Sequence, residues 1–286
     1  MRGTLLPVLS VALALTCPAP ASPARAEELG PKHVMSLSMC TDDLLLDLLP
    51  PERIASVTYY ARERSISYLW PQAAKVAINS GTVEEVLAEQ PDLVLAGTYT
   101  TPATRLLLKK MQMPLLEVAP AVDFDQIRAV TRTVAHALKR DAAGEALIAT
   151  MDSKLQELAA TKPPQIIRVA AWGEGGSVPG KGTLFDAILR AAGGINVAAS
   201  ADGGPYLSFG MEQLIIARPD VIAYASNTTD TPGLNADLAQ HPVILRLYPR
   251  RRVTYPSALY SCGVVESANA AVELRARLLQ AMRGGS

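Results

Sequence analysis

The sequence has little of what usually announces chemistry. Its 286 residues include three histidines and three cysteines. His33, His136 and His241 stand in no H-E-x-x-H or comparable spacing, so the residues specify no metal site and call for no cofactor. A G-x-S-x-G nucleophile elbow is also missing. Charge of one sign is absent: 27 Lys and Arg balance 27 Asp and Glu. No basic stripe points to nucleic acid, and the short run Arg250-Arg251-Arg252 reads as a solvated turn before a strand. Past residue 26, no apolar run approaches the roughly 20 residues that a membrane span needs. Hydrophobic residues at 49% and charged residues at 19% are nonetheless an ordinary globular balance, which excludes disorder.

What is present begins at the N-terminus. Arg2 supplies a positive start, Leu5 to Leu15 an apolar stretch, and Ala24-Arg25-Ala26 an A-x-A cleavage pattern. Together they predict a secretory signal peptide over residues 1–26 and a periplasmic mature protein. The rival is a lipoprotein acylated at Cys17, but Thr16 stands where a small Gly or Ala is expected. Cleavage removes Arg2 and Arg25 and no acid, leaving 25 basic against 27 acidic residues, a net of −2. Cys40 and Cys262 are then the remaining cysteines. In an oxidising compartment such a pair tends to bridge; the alternative is two separate buried thiols.

From His33 onward, short apolar strands alternate with helical segments. This predicts an α/β fold of two Rossmann-like lobes with parallel sheets. The lobes are expected over residues 27–140 and 163–286. A long helix over 141–162 joins them as a stiff rod, with a ligand cleft between them. Cys40-Thr41-Asp42-Asp43 is read as capping sequence before a helix that starts at Leu44. An internal repeat supports two related lobes. Residues 84–96 read EEVLAEQPDLVLA and residues 212–224 read EQLIIARPDVIAY, an offset of 128. Helix–Pro-Asp–strand is a common connection, and acids favour helix N-termini, so Glu84 and Glu212 admit a structural reading as well.

Polar and aromatic residues gather just after the strands, where parallel α/β sheets bind ligands. The candidates are Tyr59, Tyr60, Arg62, Ser80, Tyr99, Thr100, Trp172, Glu174, Lys181 and Tyr206. Gly175 to Lys181 has G-x-x-x-x-G-K spacing, a phosphate-loop pattern. Gly182 stands where Ser or Thr should bind magnesium, and Pro179 removes a backbone donor. An exported nucleotide-binding enzyme is therefore the weaker alternative, and a loop that approaches a ligand the stronger one.

Four stretches together carry a family resemblance: VMSLSMCTDDLLLDLLP, INSGTVEEVLAEQPDLVLAG, MEQLIIARPDVIAYA, and HPVILRLYPRRRVTYP followed by SCG. In this order they resemble the substrate-binding proteins of ABC importers for iron–siderophore, haem and cobalamin. The resemblance implies a monomer that binds a small ligand and delivers it to a permease dimer in the inner membrane, without itself being an enzyme. It also implies that Glu84 and Glu212 dock on arginines of the two permease subunits. An iron chelate of the siderophore type is the leading ligand, for which Arg62 and Lys181 are the candidate cations. Cobalamin would use the aromatics, and haem a tyrosine. A third reading, an exported scaffold that binds only protein, predicts lobes without a cleft.

Overall fold

The computed structural model describes residues 30–172, 177–199, 204–225 and 241–284. The expected signal peptide, Cys17 and Glu174 lie outside the described residues. The first lobe runs β1 (Val34–Ser36), α1 (Met39–Leu48), β2 (Ile54–Thr58), α2 (Trp70–Ala73), β3 (Ala77–Asn79), α3 (Val83–Glu89), β4 (Leu93–Gly97), α4 (Pro102–Lys110) and β5 (Leu115–Val118). Its strands lie in the order β3-β2-β1-β4-β5, every pair parallel. Helices cover such a sheet on both faces, so its strands read as unbroken apolar runs; all five residues of β2 are buried.

Two helices follow, α5 (Phe124–Ala137) and α6 (Asp141–Ala160). The second lobe comprises β6 (Ile167–Ala171), β7 (Ser177–Pro179), α7 (Leu184–Ala191), β8 (Gly194–Asn196), β9 (Tyr206–Ser208), α8 (Met211–Ala217), β10 (Val221–Ala225), α9 (Pro242–Leu247), β11 (Arg252–Tyr255), α10 (Ala258–Ser261) and α11 (Ser267–Arg283). Its main sheet is parallel in the order β11-β10-β6-β8, and β7 and β9 form an antiparallel pair.

The 20-residue helix α6 spans about 30 Å, and its side chains enter both cores. Ala143 and Leu147 pack on the first-lobe core, while Met151 and Leu158 lie in the second. At Gly144, a Cβ would come within 2.6 Å of the Ala135 Cβ, so α5 and α6 approach closely there. A second tie runs across the lobes: Cys40 on α1 is joined to Cys262, after α10, by a disulfide with a Cα–Cα distance of 5.2 Å. Cys262 and Val264 are buried in the first-lobe core. Between them only a glycine fits, because a Cβ on Gly263 would stand 2.1 Å from the Ala121 carbonyl oxygen.

Two expectations need correction. The first helix begins at Met39 behind an extended Ser38, so Cys40 to Asp43 lie inside it rather than capping it. Half of the expected phosphate loop, Ser177–Pro179, is a strand paired with β9. The Thr183 hydroxyl accepts from the Asp186 N–H and caps α7, and the Gly180 N–H is taken by the Pro205 carbonyl.

Candidate functional site

The carboxyl ends of the strands carry the site. Thr58 ends β2, and the chain turns through Tyr59–Arg62, where the Tyr59 and Tyr60 rings lie 4.1 Å apart. Three aspartates on α1 hold this segment in place. Thr58 N–H donates to Asp42 Oδ1 at 3.1 Å, and the Thr58 hydroxyl donates to Oδ2 of the same residue. Ser67 Oγ donates to Asp43 at 2.6 Å, and the Tyr68 hydroxyl to Asp47. The donors are all neutral. Burial therefore dominates, raising Asp42 from 3.8 to about 7 and Asp47 to about 6, and it lifts Asp43 well above the usual carboxylate range. Burial lifts the Tyr68 phenol too, with Asp47 adding to the shift.

The structure separates the sequence candidates into two groups. Tyr59, Tyr60, Tyr99 and Tyr206 present exposed rings at strand ends, Tyr99 being 87% and Tyr206 70% exposed. Others are engaged elsewhere. Arg62 is exposed, and its guanidinium donates to the carbonyls of Ala73 at 3.2 Å and Val76 at 2.6 Å, beside the end of α2. Thr100 is buried, its hydroxyl donating to the Leu37 carbonyl. The Ser80 N–H donates to both Glu85 carboxylate oxygens. Lys181 is exposed beside β7 but does not line the second-lobe cavity.

That cavity, of about 190 Å³, opens at the ends of β6, β10 and β11. Trp172, Phe185, Tyr206, Tyr255 and Tyr260 form its aromatic wall, with Thr183, Ser257 and Ser261 as hydroxyl partners. No charged side chain is among its described lining residues. Phe185, Tyr255 and Tyr260 pack with centroids 4.4 to 6.0 Å apart. Burial pushes the Tyr260 phenol well up, so it stays neutral. Trp172 is 6% exposed, and its Nε1–H has no acceptor among the described residues. A buried donor left unpaired is costly. Sequence reasoning missed Phe185, Tyr255 and Tyr260. Tyr255 ends a strand and so obeys the rule that found the others; Phe185 and Tyr260 sit on helices, where no sequence signal distinguishes them from core.

Helices α3 and α8 carry the two repeat acids in their first turns. Thr82 and Glu85 form a reciprocal capping box on α3. Capping thus falls to Glu85 and leaves Glu84 exposed; Glu212 is exposed in the first turn of α8. Among the described residues, no group of three His, Cys, Asp or Glu side chains is placed to hold a metal ion. No helix among them is long and apolar enough to cross a membrane.

Comparison with known proteins agrees with this architecture. Residues 34–247 match the periplasmic binding protein family. Cobalamin-binding proteins of two strains of Halobacterium salinarum are 24% identical over 248 residues, covering 84% of this chain and 63% of theirs. The chain thus spans less than two thirds of the length of these curated relatives. The apo periplasmic haem-binding protein RhuT of Roseiflexus sp. RS-1 superposes with a TM-score of 0.74 at 22% identity, covering 88% of this chain and 99% of that one. For the periplasmic vitamin B12 binding protein BtuF of Vibrio cholerae the TM-score is 0.68 at 16% identity, covering 89% and 99%. The molybdate-bound MolA of Haemophilus influenzae gives 0.68 at 15% identity, covering 88% of each chain.

Proposed function

The chain belongs to the periplasmic binding protein family, and from that premise we propose that it captures a metal complex and hands it to an ABC permease in the inner membrane. Export through the signal peptide of residues 1–26 places it in the periplasm, where it acts as a monomeric binding protein and not as an enzyme. The observation that carries the ligand class is the uncharged aromatic cavity beside Trp172 and Tyr206. Flat rings with a few donors suit one flat face of a metal complex, of which a cavity of about 190 Å³ would hold a part. Within the metal-chelate class, this favours a macrocycle such as haem or a corrinoid. An anionic ferric siderophore would want a cation. Neither Arg62, whose guanidinium sits at the end of α2, nor Lys181 is among the described residues that line the cavity. The curated relatives and the haem and vitamin B12 proteins of like fold support the same class.

The rigid helix α6 and the Cys40–Cys262 bridge support small lobe movements during capture. Glu84 and Glu212 provide charged contacts to the permease, which orient association more than they add affinity.

The test is protein purified from its own host, examined by absorbance and mass spectrometry for a carried ligand. Thermal shifts with haem, cobalamins and ferric siderophores complement it, since a ligand of the native state raises stability. A shift with haem or a cobalamin is expected. A shift with siderophores alone would overturn the macrocycle assignment, and no shift across the panel would overturn the binding role.

A further inference from the structure

The run Arg250-Arg251-Arg252 does not end in a solvated turn. The chain balances 27 basic against 27 acidic residues, yet three arginines line one cavity of the second lobe. Arg250 and Arg252, at the entry to β11, and Arg277, on α11, face a space of about 380 Å³. Thr254 and Gln280 add polar groups to its wall. No carboxylate is among its described lining residues, and it shares none of them with the aromatic cavity.

Packing accounts for one of the three. Arg277 Nη1 donates to the Thr254 carbonyl at 2.9 Å and to its hydroxyl at 3.2 Å, and Nη2 lies 3.7 Å from Glu273. These bonds fasten α11 to β11, the edge strand of its sheet. The other two arginines have no such explanation. Arg252 is partly buried, and its Nε–H is buried without an acceptor among the described residues. Arg250 is exposed and lines the same space. A surface arginine is ordinarily solvated. Here like charges share one cavity and repel, and a buried donor without an acceptor is costly. An anion seated between the guanidiniums removes both costs together. The planar fork of arginine matches the oxygens of a phosphoryl group two at a time.

We propose that the cavity between β11 and α11 is a second binding site, for a phosphoryl anion held by Arg250, Arg252 and Arg277. It is separate from the aromatic cavity and does not depend on the importer reading. The phosphoryl group belongs either to a soluble phosphate or to a phospholipid headgroup, which present the same oxygens to the arginines.

The test titrates the exported protein with pyrophosphate, alongside Arg250→Gln, Arg252→Gln and the double variant. Arg246→Gln serves as a control of equal charge, because Arg246 is exposed on α9 and outside the described lining. Melting with and without pyrophosphate reads the same site, since a ligand of the native state raises stability. The parent is expected to bind and to melt higher with the anion. Affinity should fall roughly tenfold for each lining arginine removed, as for loss of a charged hydrogen bond, and the control should match the parent. Without pyrophosphate, Arg252→Gln should melt at or above the parent, because its unpaired donor is gone. Co-sedimentation with phosphatidylglycerol vesicles, against phosphatidylcholine alone, distinguishes the two sources. Vesicle binding that pyrophosphate displaces and the double variant loses assigns the site to a headgroup; pyrophosphate binding without vesicle binding assigns it to a soluble phosphate. A parent that binds neither probe would overturn the proposal. So would an equal loss in Arg246→Gln, which marks a general charge effect, or an Arg252→Gln protein that melts lower yet keeps the full anion-dependent rise, which marks a purely structural arginine.

Discussion

The two lobes share a repeat but meet the cleft differently. The first presents exposed tyrosines: Tyr59 and Tyr60, on a loop anchored from behind by buried aspartates, and Tyr99 after β4. The second encloses a cavity walled by Trp172, Phe185, Tyr255 and Tyr260. Their helices α3 and α8, by contrast, agree position by position. The lobe with enclosed rings should therefore contribute most of the ligand affinity, because enclosed contacts are desolvated and exposed ones are not.

The largest expected effect concerns the tie that holds the two lobes together. The bridge closes a loop with a sequence separation of 222. Replacing both cysteines by serine should lower stability by on the order of 5 kcal/mol in the chain-entropy account, read by urea unfolding. A loss below about 1 kcal/mol would mean that α6 alone sets the lobe arrangement.

The anchored loop of the first lobe yields a pH test. The folded-state values of Asp42 and Asp47 lie above the ordinary 3.8, at about 7 and about 6. A raised carboxyl contributes stability that is complete below its unfolded pKa and lost as pH rises through the folded one. The melting temperature should thus be higher near pH 5 than near pH 8, where roughly 2–4 °C corresponds to each kcal/mol. Asp42→Asn should flatten the slope. A profile that rises from pH 5 to 8 would contradict the burial account.

Smaller effects sharpen the contrast between the cleft edges. Trp172→Phe keeps the ring but removes the unpaired donor, and should cost about five- to tenfold in ligand affinity, ~1 kcal/mol for one hydrogen bond, read by titration. Tyr99→Ala, at a ring almost wholly in water, should change affinity by less than about threefold, whereas Tyr206→Ala at the cavity mouth should cost more. Equal losses for the two tyrosines would erase the asymmetry.

Much of this was legible without coordinates. Alternating strands and helices, the 128-residue repeat and the long connecting helix all depend on neighbours along the chain, as does placing Tyr59, Tyr99 and Trp172 just after strands; Tyr206, read the same way, instead begins β9. Periodicity and turn residues are written locally. What tertiary structure decided is which of those residues face the cleft. Arg62 is a surface cation in sequence and a helix-end donor in space, because the carbonyls of Ala73 and Val76 reach it first. Asp42 and Asp43 read as capping residues before a helix, yet folding buries them inside it against the hydroxyls of Thr58 and Ser67. Phe185 and Tyr260 become a binding wall only when two helices meet the ends of three strands. Sequence alone determined an α/β chain of two related halves; the aromatic cavity, with no charged side chain among its described lining residues, came from non-local packing, because side-chain direction and burial are set by elements far apart in the chain.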